Sequence, residues 1–282
     1  MGISINLIPL LLDSLQAHHL GGAVLMLGRQ VVEIDPDGLA VLLHRERFPP
    51  TLGPDQWDQE ADRVTPESFF RALGFASVAS LDFDGKEGAE IVFDLNRRDT
   101  PPDLVGCCDI LFDGGTLEHV FHLPNALLHC GNLLRNGGHF VHVGPMNGYV
   151  DHGFFQFSPT FWFDWADANG WRVVESVMVR LPSRHRREPP HWRFSCLRPG
   201  QFGTVGDFDD APYLHFMIAR KDANTRSDRL PVQRIYAGTS APPETAELRH
   251  FAPFAVTETG QRCPIATKRW AERLRAGFQR KE

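Results

Sequence analysis

Lysine, cysteine and long apolar runs are scarce in this sequence of 282 residues. Lysine supplies only four of the 29 basic residues, a bias that suggests a GC-rich bacterial source. The five cysteines include one adjacent pair but no Cys-x-x-Cys motif, which argues against a disulfide framework and a structural zinc site and favours a reducing cytoplasm. No apolar run reaches the roughly 20 residues that span a bilayer. We therefore expect a cytoplasmic protein without a membrane partner.

An excess of basic charge is also missing. The 29 basic and 35 acidic residues give a net charge of -6, whereas a protein that binds a nucleic-acid backbone presents a basic face. Nucleic acid is therefore not an expected partner. The hydrophobic fraction of 42% is enough for a substantial core, which indicates a globular protein.

A glycine-rich phosphate loop is the third absence. The first predicted strand, in VLMLGRQVVEI, leads into Gly28 and then into Arg29 and Gln30. A dinucleotide-binding loop carries further glycines there, because they let a pyrophosphate approach the backbone. The ligand at this loop is therefore not expected to be a pyrophosphate.

Short apolar runs alternate with helical patterns along the chain, which indicates a parallel sheet. Five runs predict buried strands, at 23–27, 77–81, 90–93, 109–112 and 139–143. Two later runs, 173–179 and 213–219, predict an antiparallel hairpin at one sheet edge. Helices are predicted in INLIPLLLDSL, over 36–45, from Pro66, from Pro124 and from Pro159. The sequence thus predicts an α/β, Rossmann-like fold with seven mostly parallel strands, helices on both faces and an expanded first crossover.

The chain is predicted to contain one main domain over residues 1–221 and a C-terminal extension over 222–282. The main domain carries a long insertion at about 181–211 that is rich in Pro, Arg, Gly and Asp. A loop of this length is usually a functional lid or disordered, and a subunit contact is a further interpretation, so a homodimer is compatible with the sequence. The extension ends in a short helix in ATKRWAERLRAGF.

Several segments follow one another in a fixed order between residues 23 and 179. The second and third strands end in acid, in SVASLDFD and IVFDLN; the fourth runs into DILFDGGTLEHVFH; and LLRNGGHFVHVGP supplies a Gly-Gly turn and the fifth strand. In this order the chain resembles the class I S-adenosylmethionine-dependent methyltransferases, in the methyltransferase-domain group with a LEHV segment after strand four. GRQ, DGGTLEHVF and GFFQFSP resemble a small bacterial subfamily of that group.

The resemblance implies S-adenosylmethionine as cofactor, held at the carboxyl ends of the strands. Asp82 would accept hydrogen bonds from both ribose hydroxyls, Asp94 would accept one from the adenine amino group, and Leu95 would lie against the ring. Arg29 is the candidate for the methionyl carboxylate, with a solvent-exposed arginine as the alternative interpretation. For either acid, capping of a turn is the alternative role. The other expected cofactor-binding residues are Gly28, Asp113, Gly114 and Gly115.

Methyl transfer to a hydroxyl requires alignment of the reacting atoms and a base for the proton. The segment GPMNGYVDHGFFQFSP follows the fifth strand and makes His152 with Asp151 the first candidate base, with a structural histidine as the competing interpretation. His119 in TLEHVFH is the second candidate, with a role in packing or in the wall of the cofactor site as the alternative. Glu118 and His119 match a metal-binding pattern found in some members of the wider group, but Gly115 stands where the third ligand is expected. No metal site is therefore predicted.

The sequence as a whole predicts an S-adenosylmethionine-dependent O-methyltransferase that acts on a small molecule, a hydroxyl of a sugar or natural product. The dense aromatic series after His152 would suit such an acceptor, although aromatic residues at helical spacing also fit a core. Two alternatives stay open. One is a protein of the same fold without catalysis, acting as a binding or assembly partner, which the lone Gly28 favours. The other is an NAD-dependent oxidoreductase, which the missing G-x-G-x-x-G disfavours.

Overall fold

The structure is a computed structural model that describes residues 2–183, 192–198, 209–236, 254–256 and 262–264. The chain divides into two compact units, Met1–Ala237 and Gly238–Glu282. Residues 222–236 thus lie in the first unit. In the second unit the described part is one antiparallel pair of strands, Phe254–Val256 and Arg262–Pro264. The predicted terminal helix lies outside the described residues.

A sheet of eight strands forms the centre of the first unit. The strands are β1 (Ala23–Leu27), β2 (Ser77–Asp82), β3 (Ile91–Val92), β4 (Cys108–Asp113), β5 (Leu134–Asn147), β6 (Arg172–Arg180), β7 (Arg193–Cys196) and β8 (Tyr213–Arg220). Their order across the sheet is β7-β6-β8-β5-β4-β1-β2-β3. Five neighbouring strands, β5, β4, β1, β2 and β3, pair with one another in parallel. On the other side of β5, the strands β8, β6 and β7 are added in turn, each antiparallel to its neighbour.

The prediction of seven strands is wrong by one strand. β7 lies inside the insertion, where the sequence indicated a long loop, and pairs with β6 so that Val177 faces Cys196. All four residues of β7 are exposed, and their alternation of polar and apolar residues, RFSC, is only four residues long, too short to distinguish this strand from the polar insertion around it. The antiparallel pairing of β6 with β8 is confirmed, but β8 also pairs with β5 and therefore lies inside the sheet.

Five α-helices in the described part of the chain cover the sheet. They are α1 (Ile8–Ala17), α2 (Pro36–Arg45), α3 (Pro66–Ala72), α4 (Leu123–Leu133) and α5 (Pro159–Asn169). The predicted helix starts at Pro36, Pro66 and Pro159 are confirmed, and α4 starts one residue before the predicted Pro124. The Asp35 carboxylate accepts from the Gly38 N–H at α2 and the Thr65 hydroxyl from the Ser68 N–H at α3. Gly170, with a left-handed φ of 71°, ends α5. No helix among the described residues is long and apolar enough to cross a membrane.

Helices on both faces of the sheet give two separate hydrophobic cores. Alternate residues of β1 point to opposite faces: Val24 and Met26 join one core, Leu25 and Leu27 the other. α1, α2 and α3 pack in the first core, and α4 and α5 in the second. The minor elements are the strand pairs Ile3–Ser4 with Val32–Glu33 and Gln59–Glu60 with Arg63–Val64, and the 3-10 helices Pro54–Gln56, Pro102–Leu104, Leu117–His119 and Arg234–Tyr236.

The strand order fixes where a ligand binds. The sheet is built outward from β1 in two directions, to β2 and β3 on one side and to β4 and β5 on the other. In open α/β sheets ligands bind at this switch point, in the crevice outside the carboxyl ends of the strands. Here the crevice lies between the loops that follow β1 and β4.

Candidate functional site

A cavity of about 550 Å³ opens at the carboxyl ends of β1, β2 and β4. Six of the residues predicted from the sequence line it: Gly28, Asp82, Asp94, Leu95, Gly115 and His119. The other five predicted residues do not line it: Arg29, Asp113, Gly114, Asp151 and His152. The topology thus brings together acids from two different strand ends, as the resemblance implied, and adds to them residues that the sequence did not single out.

The Asp82 carboxylate is fixed at the end of β2 by its own loop. Its Oδ1 accepts from the Phe83 N–H at 2.6 Å and its Oδ2 from the Arg29 N–H at 3.3 Å. A carboxylate has about four acceptor positions. Asp82 therefore retains acceptor capacity toward the cavity that it lines.

Asp94 follows β3 on the far side of the same cavity. Its Oδ1 accepts from both the backbone N–H and the side-chain amide of Asn96, at 2.9 and 2.8 Å. These bonds orient the carboxylate. Phe93, Leu95 and Val120, each under 8% exposed, add apolar surface to the cavity wall. This part of the cavity can therefore hold a flat apolar ring that carries a hydrogen-bond donor.

The loop after β1 is closed by a side chain where a nucleotide-binding loop would have glycines. Gln30 is 4% exposed, and its amide donates to the carbonyls of Leu27 and Gly28 at 2.7 and 3.2 Å. The Thr116 hydroxyl donates to the same Leu27 carbonyl at 2.6 Å. A Cβ on Gly28 would lie 2.7 Å from the Thr116 Oγ1, and one on Gly114 would clash with Gln30. These two glycines thus allow the loops of β1 and β4 to pack together.

The Arg29 guanidinium points into a cluster of the protein's own carboxylates. Its Nε and one terminal nitrogen donate to the two oxygens of Glu67 at 2.9 and 3.0 Å, and the other terminal nitrogen donates to Glu60 at 2.8 Å. The Glu67 hydrogen bonds are the main cause of a raised Arg29 pKa. This side chain is therefore already neutralised, and a methionyl carboxylate would have to compete with two glutamates for it.

Asp113 anchors the loop after β4 from within the core. It is fully buried, and its Oδ1 accepts from the N–H groups of Thr116 and Leu117 at 2.9 and 3.3 Å. Its Oδ2 is bonded to Nδ1 of the buried His142 on β5 at 2.6 Å. Asp113 therefore sets the start of the Leu117–His119 helix. The sequence offered no signal for the participation of His142, which looked like an ordinary strand residue.

Acidic groups dominate the charge around the cavity. Its wall carries four carboxylates, those of Asp82, Asp84, Glu87 and Asp94, and one ammonium group, that of Lys86. The Lys86 ammonium already pairs with Asp84 at 2.6 Å. The cavity thus has a net charge of about -3, which attracts a cationic ligand and repels a pyrophosphate.

Glu118, His119 and His152 form a cluster at one end of the cavity. The Glu118 side chain is fully buried, and within the described part of the chain neither of its oxygens has a hydrogen-bond partner. Its Oε1 lies 3.5 Å from the His152 Nε2 and 3.9 Å from the His119 Nε2. Burial, with a contribution from the Asp113 charge, raises the pKa of Glu118 to about 7, and burial together with the nearby His152 lowers the pKa of His119.

A docked loop brings His152 to this position. The Phe154 and Phe155 N–H groups donate to the Glu118 carbonyl at 2.8 and 3.2 Å. A Cβ on Gly153 would lie 2.9 Å from that carbonyl oxygen and 3.2 Å from the His119 Nδ1. Glycine at this position therefore lets the loop after β5 approach the Leu117–His119 helix.

Asp151 is exposed, at a left-handed φ of 62°, and within the described residues it makes no ion pair with His152. The carboxylate beside His152 is that of Glu118. Most of the aromatic series belongs to the core, with Phe157, Trp162 and Trp165 each 3% exposed or less. Phe154 differs, since it is 63% exposed and packs edge-on against the equally exposed Phe121, with ring centroids 5.4 Å apart.

No protein-family model and no curated protein matches the chain. Solved structures do align with it. TehB from Haemophilus influenzae aligns at 14% identity with a TM-score of 0.39, over 74% of this chain and 60% of that one. The 1,6-didemethyltoxoflavin-N1-methyltransferase of Burkholderia thailandensis, solved with S-adenosylhomocysteine bound, aligns at 16% identity with a TM-score of 0.39, over 75% and 76%. A SAM-dependent methyltransferase from Archaeoglobus fulgidus aligns at 12% identity with a TM-score of 0.39, over 75% and 93%.

These alignments are distant, and the chain spans only 60% of the length of TehB. The Rossmann-like assignment accordingly rests on the chain's own strand order, and the chemistry of the site rests on its own side chains.

Proposed function

We propose that the cavity binds S-adenosylmethionine and that the protein transfers the methyl group to a hydroxyl of a small molecule, a sugar or natural product. The observation that carries this proposal is the acidic wall of a cavity of about 550 Å³ at the switch point of the sheet. Bound S-adenosylmethionine supplies a methyl group on a positively charged sulfur, which becomes a neutral thioether as the acceptor oxygen forms the new bond. A net negative wall favours that cation and disfavours the pyrophosphate of NAD.

The residues present fit the nucleoside part of this cofactor. Asp82 accepts hydrogen bonds from the two ribose hydroxyls with the capacity that its loop leaves free. Asp94, oriented by Asn96, accepts from the adenine amino group, and Leu95 packs against the ring. Arg29 is not assigned to the methionyl carboxylate, because Glu60 and Glu67 hold its guanidinium.

The acceptor binds at the end of the cavity that His119 lines. The exposed rings of Phe121 and Phe154 lie two residues beyond His119 and His152 and offer an apolar face for a sugar or aromatic ring. The acceptor proton is lost within the cluster of Glu118, His119 and His152. When His152 acts as the base, the carboxylate next to its imidazole is that of Glu118. The sequence had predicted Asp151 for this role.

One observation supports a second candidate, a protein of this fold that binds a partner without catalysis. Gln30 fills the loop after β1, and Arg29, the residue predicted to bind the methionyl carboxylate, is held in ion pairs with the protein's own glutamates. Cofactor binding separates the two candidates, because the second needs none.

Calorimetric titration of the purified protein with S-adenosylmethionine, S-adenosylhomocysteine and NAD tests the proposal. We expect saturable binding of the first two at micromolar concentrations and none of NAD. Asp82→Ala should weaken binding by more than tenfold, since it removes two charge-assisted hydrogen bonds. Asp103→Ala, which removes an exposed carboxylate outside the cavity, is the matched control. Absence of binding in a folded sample would refute the proposal and favour the second candidate.

Turnover is tested by the release of S-adenosylhomocysteine with a panel of hydroxylated acceptors. With an acceptor in hand, His152→Ala should lower kcat by at least 100-fold and leave cofactor affinity unchanged, because His152 lies outside the cofactor cavity. Full turnover in that variant would remove His152 from the chemistry.

A further inference from the structure

No group in the described part of the chain explains the burial of the Glu118 carboxylate. Its side chain is fully buried, and the described residues provide neither oxygen with a hydrogen bond. A buried carboxylate in its ionised form is strongly destabilising unless it is paired or coordinates a metal. The two nearest groups are the His152 and His119 imidazoles, at distances beyond a hydrogen bond.

These three groups lie close enough together to hold one cation. One carboxylate oxygen of Glu118 and one ring nitrogen of each imidazole all lie within 4.8 Å of one another. Metal–ligand bonds of about 2.0–2.1 Å place neighbouring ligand atoms of a tetrahedral site about 3.4 Å apart. The separation of 3.5 Å between Glu118 and His152 matches that value, and the 3.9 Å between Glu118 and His119 is about 0.5 Å longer.

From this geometry we propose that Glu118, His119 and His152 bind a divalent transition-metal cation. Two imidazoles and one carboxylate suit Zn²⁺, Mn²⁺ or Fe²⁺, whereas Mg²⁺ and Ca²⁺ prefer ligand sets made of oxygen. The cation supplies the positive charge that the buried Glu118 lacks. The sequence did not predict this site because the third ligand was expected at Gly115; it comes instead from the loop after β5, which docks on the Glu118 carbonyl.

Three protein ligands leave the cation with an open position. His119 belongs both to the cluster and to the cavity wall, so this position lies at the acceptor end of the cavity. This step rests on the proposed function: an acceptor hydroxyl bound there loses its proton more readily because the cation lowers its pKa. His152 is then a ligand, the proton passes to solvent, and no free imidazole base is needed.

Metal binding can be measured without cofactor or acceptor. The protein is prepared without a histidine tag, treated with EDTA and titrated calorimetrically with Zn²⁺; Co²⁺ is added separately, and its visible absorption reports the ligand geometry. We expect one Zn²⁺ per chain and a Co²⁺ spectrum typical of four or five ligands. Glu118→Gln and His152→Ala should each raise the Zn²⁺ Kd by at least tenfold and change the Co²⁺ spectrum.

Two controls match these variants in chemistry. Glu33→Gln and His44→Ala remove the same side-chain types at exposed positions and should leave both measurements unchanged. His152 lies on a surface loop with a side chain that is 32% exposed, so His152→Ala remains informative if the substitution of buried Glu118 prevents folding.

Failure of the wild-type protein to bind Zn²⁺ or Co²⁺ would overturn the proposal, as would wild-type affinity in His152→Ala. The result of the metal titration does not depend on the result of the cofactor titration. Metal binding without S-adenosylmethionine binding would retain the metal site and refute the proposed function. The reverse result would retain the function and return His152 to the role of base.

Discussion

Replacing His215 by glutamine should make the stability of the protein less sensitive to acid. His215 lies on β8 with no exposed surface, and its Nε2 is hydrogen-bonded to the Ser176 hydroxyl at 2.8 Å. Burial, with a smaller contribution from the nearby His142, lowers the pKa of His215 to about 3. Glutamine keeps a polar group for Ser176 but does not titrate.

The sign and size of the effect follow from linkage. In the unfolded chain His215 has a pKa of about 6.5, so between pH 6.5 and pH 3 the unfolded state binds a proton that the folded state does not. Stability therefore falls as the pH falls through this window. At 1.36 kcal/mol per pH unit, the fall between pH 7 and pH 5 is about 2 kcal/mol from this residue alone.

Urea unfolding followed by tryptophan fluorescence at pH 7 and pH 5 measures this contribution. Wild type should lose about 2 kcal/mol more than His215→Gln between the two pH values, a midpoint shift of about 0.7 M for an m-value of about 3 kcal/mol/M. Each protein is its own reference, so any general destabilisation by the substitution cancels. His139, whose pKa burial lowers to about 4, contributes to both proteins. His44→Gln at an exposed position is the control, and equal losses in wild type and His215→Gln would refute the reasoning.

Three further substitutions test the geometry of the site. Gly153→Ala should destabilise the protein by about 1–3 kcal/mol and weaken Zn²⁺ binding, because the new Cβ would lie 2.9 Å from the Glu118 carbonyl oxygen; unfolding and calorimetry measure the two effects, and wild-type values for both would contradict the docked loop. Arg29→Ala should change S-adenosylmethionine affinity by less than about threefold and lower the melting temperature, because Glu67 already holds the guanidinium. A loss of affinity as large as that expected from removing a charge-assisted hydrogen bond to the cofactor would show that Arg29 is a cofactor ligand. Phe154→Ala should raise the acceptor KM and leave cofactor affinity unchanged, and steady-state kinetics with a cofactor titration separate these; an unchanged KM would exclude the ring from the acceptor site.

Local sequence patterns predicted the helices and the inner strands well. Asp35-Pro36, Thr65-Pro66 and Ser158-Pro159 combine a capping side chain with a proline that suits the first helical turn. These signals act between residues that are close in sequence and therefore do not depend on the tertiary fold. The structure has helices that begin at all three prolines. β7 shows the limit of such patterns, because its alternation of polar and apolar residues covers only four exposed residues and its pairing with β6 depends on the sheet already being formed.

The same distinction between local sequence patterns and tertiary packing applies to the candidate site. Asp82 and Asp94 end predicted strands, and the rule for open sheets places such residues at the ligand crevice; both line the cavity. Arg29 and Asp113 also follow strands, yet their side chains turn to Glu67 and His142. Position at a strand end indicates that a residue is near the crevice, but which way its side chain points depends on the packing of neighbouring loops.

The sequence by itself determined the alternation of strands and helices, the acidic strand ends and the interrupted glycine loop, since each depends on residues close together in the chain. Only the tertiary structure decided that Gln30 fills that loop, that Arg29 is neutralised, and that His152 lies beside Glu118 rather than acting with Asp151. These facts depend on contacts between loops that are distant in sequence, and their free energies come from burial and from hydrogen bonds that no local pattern records.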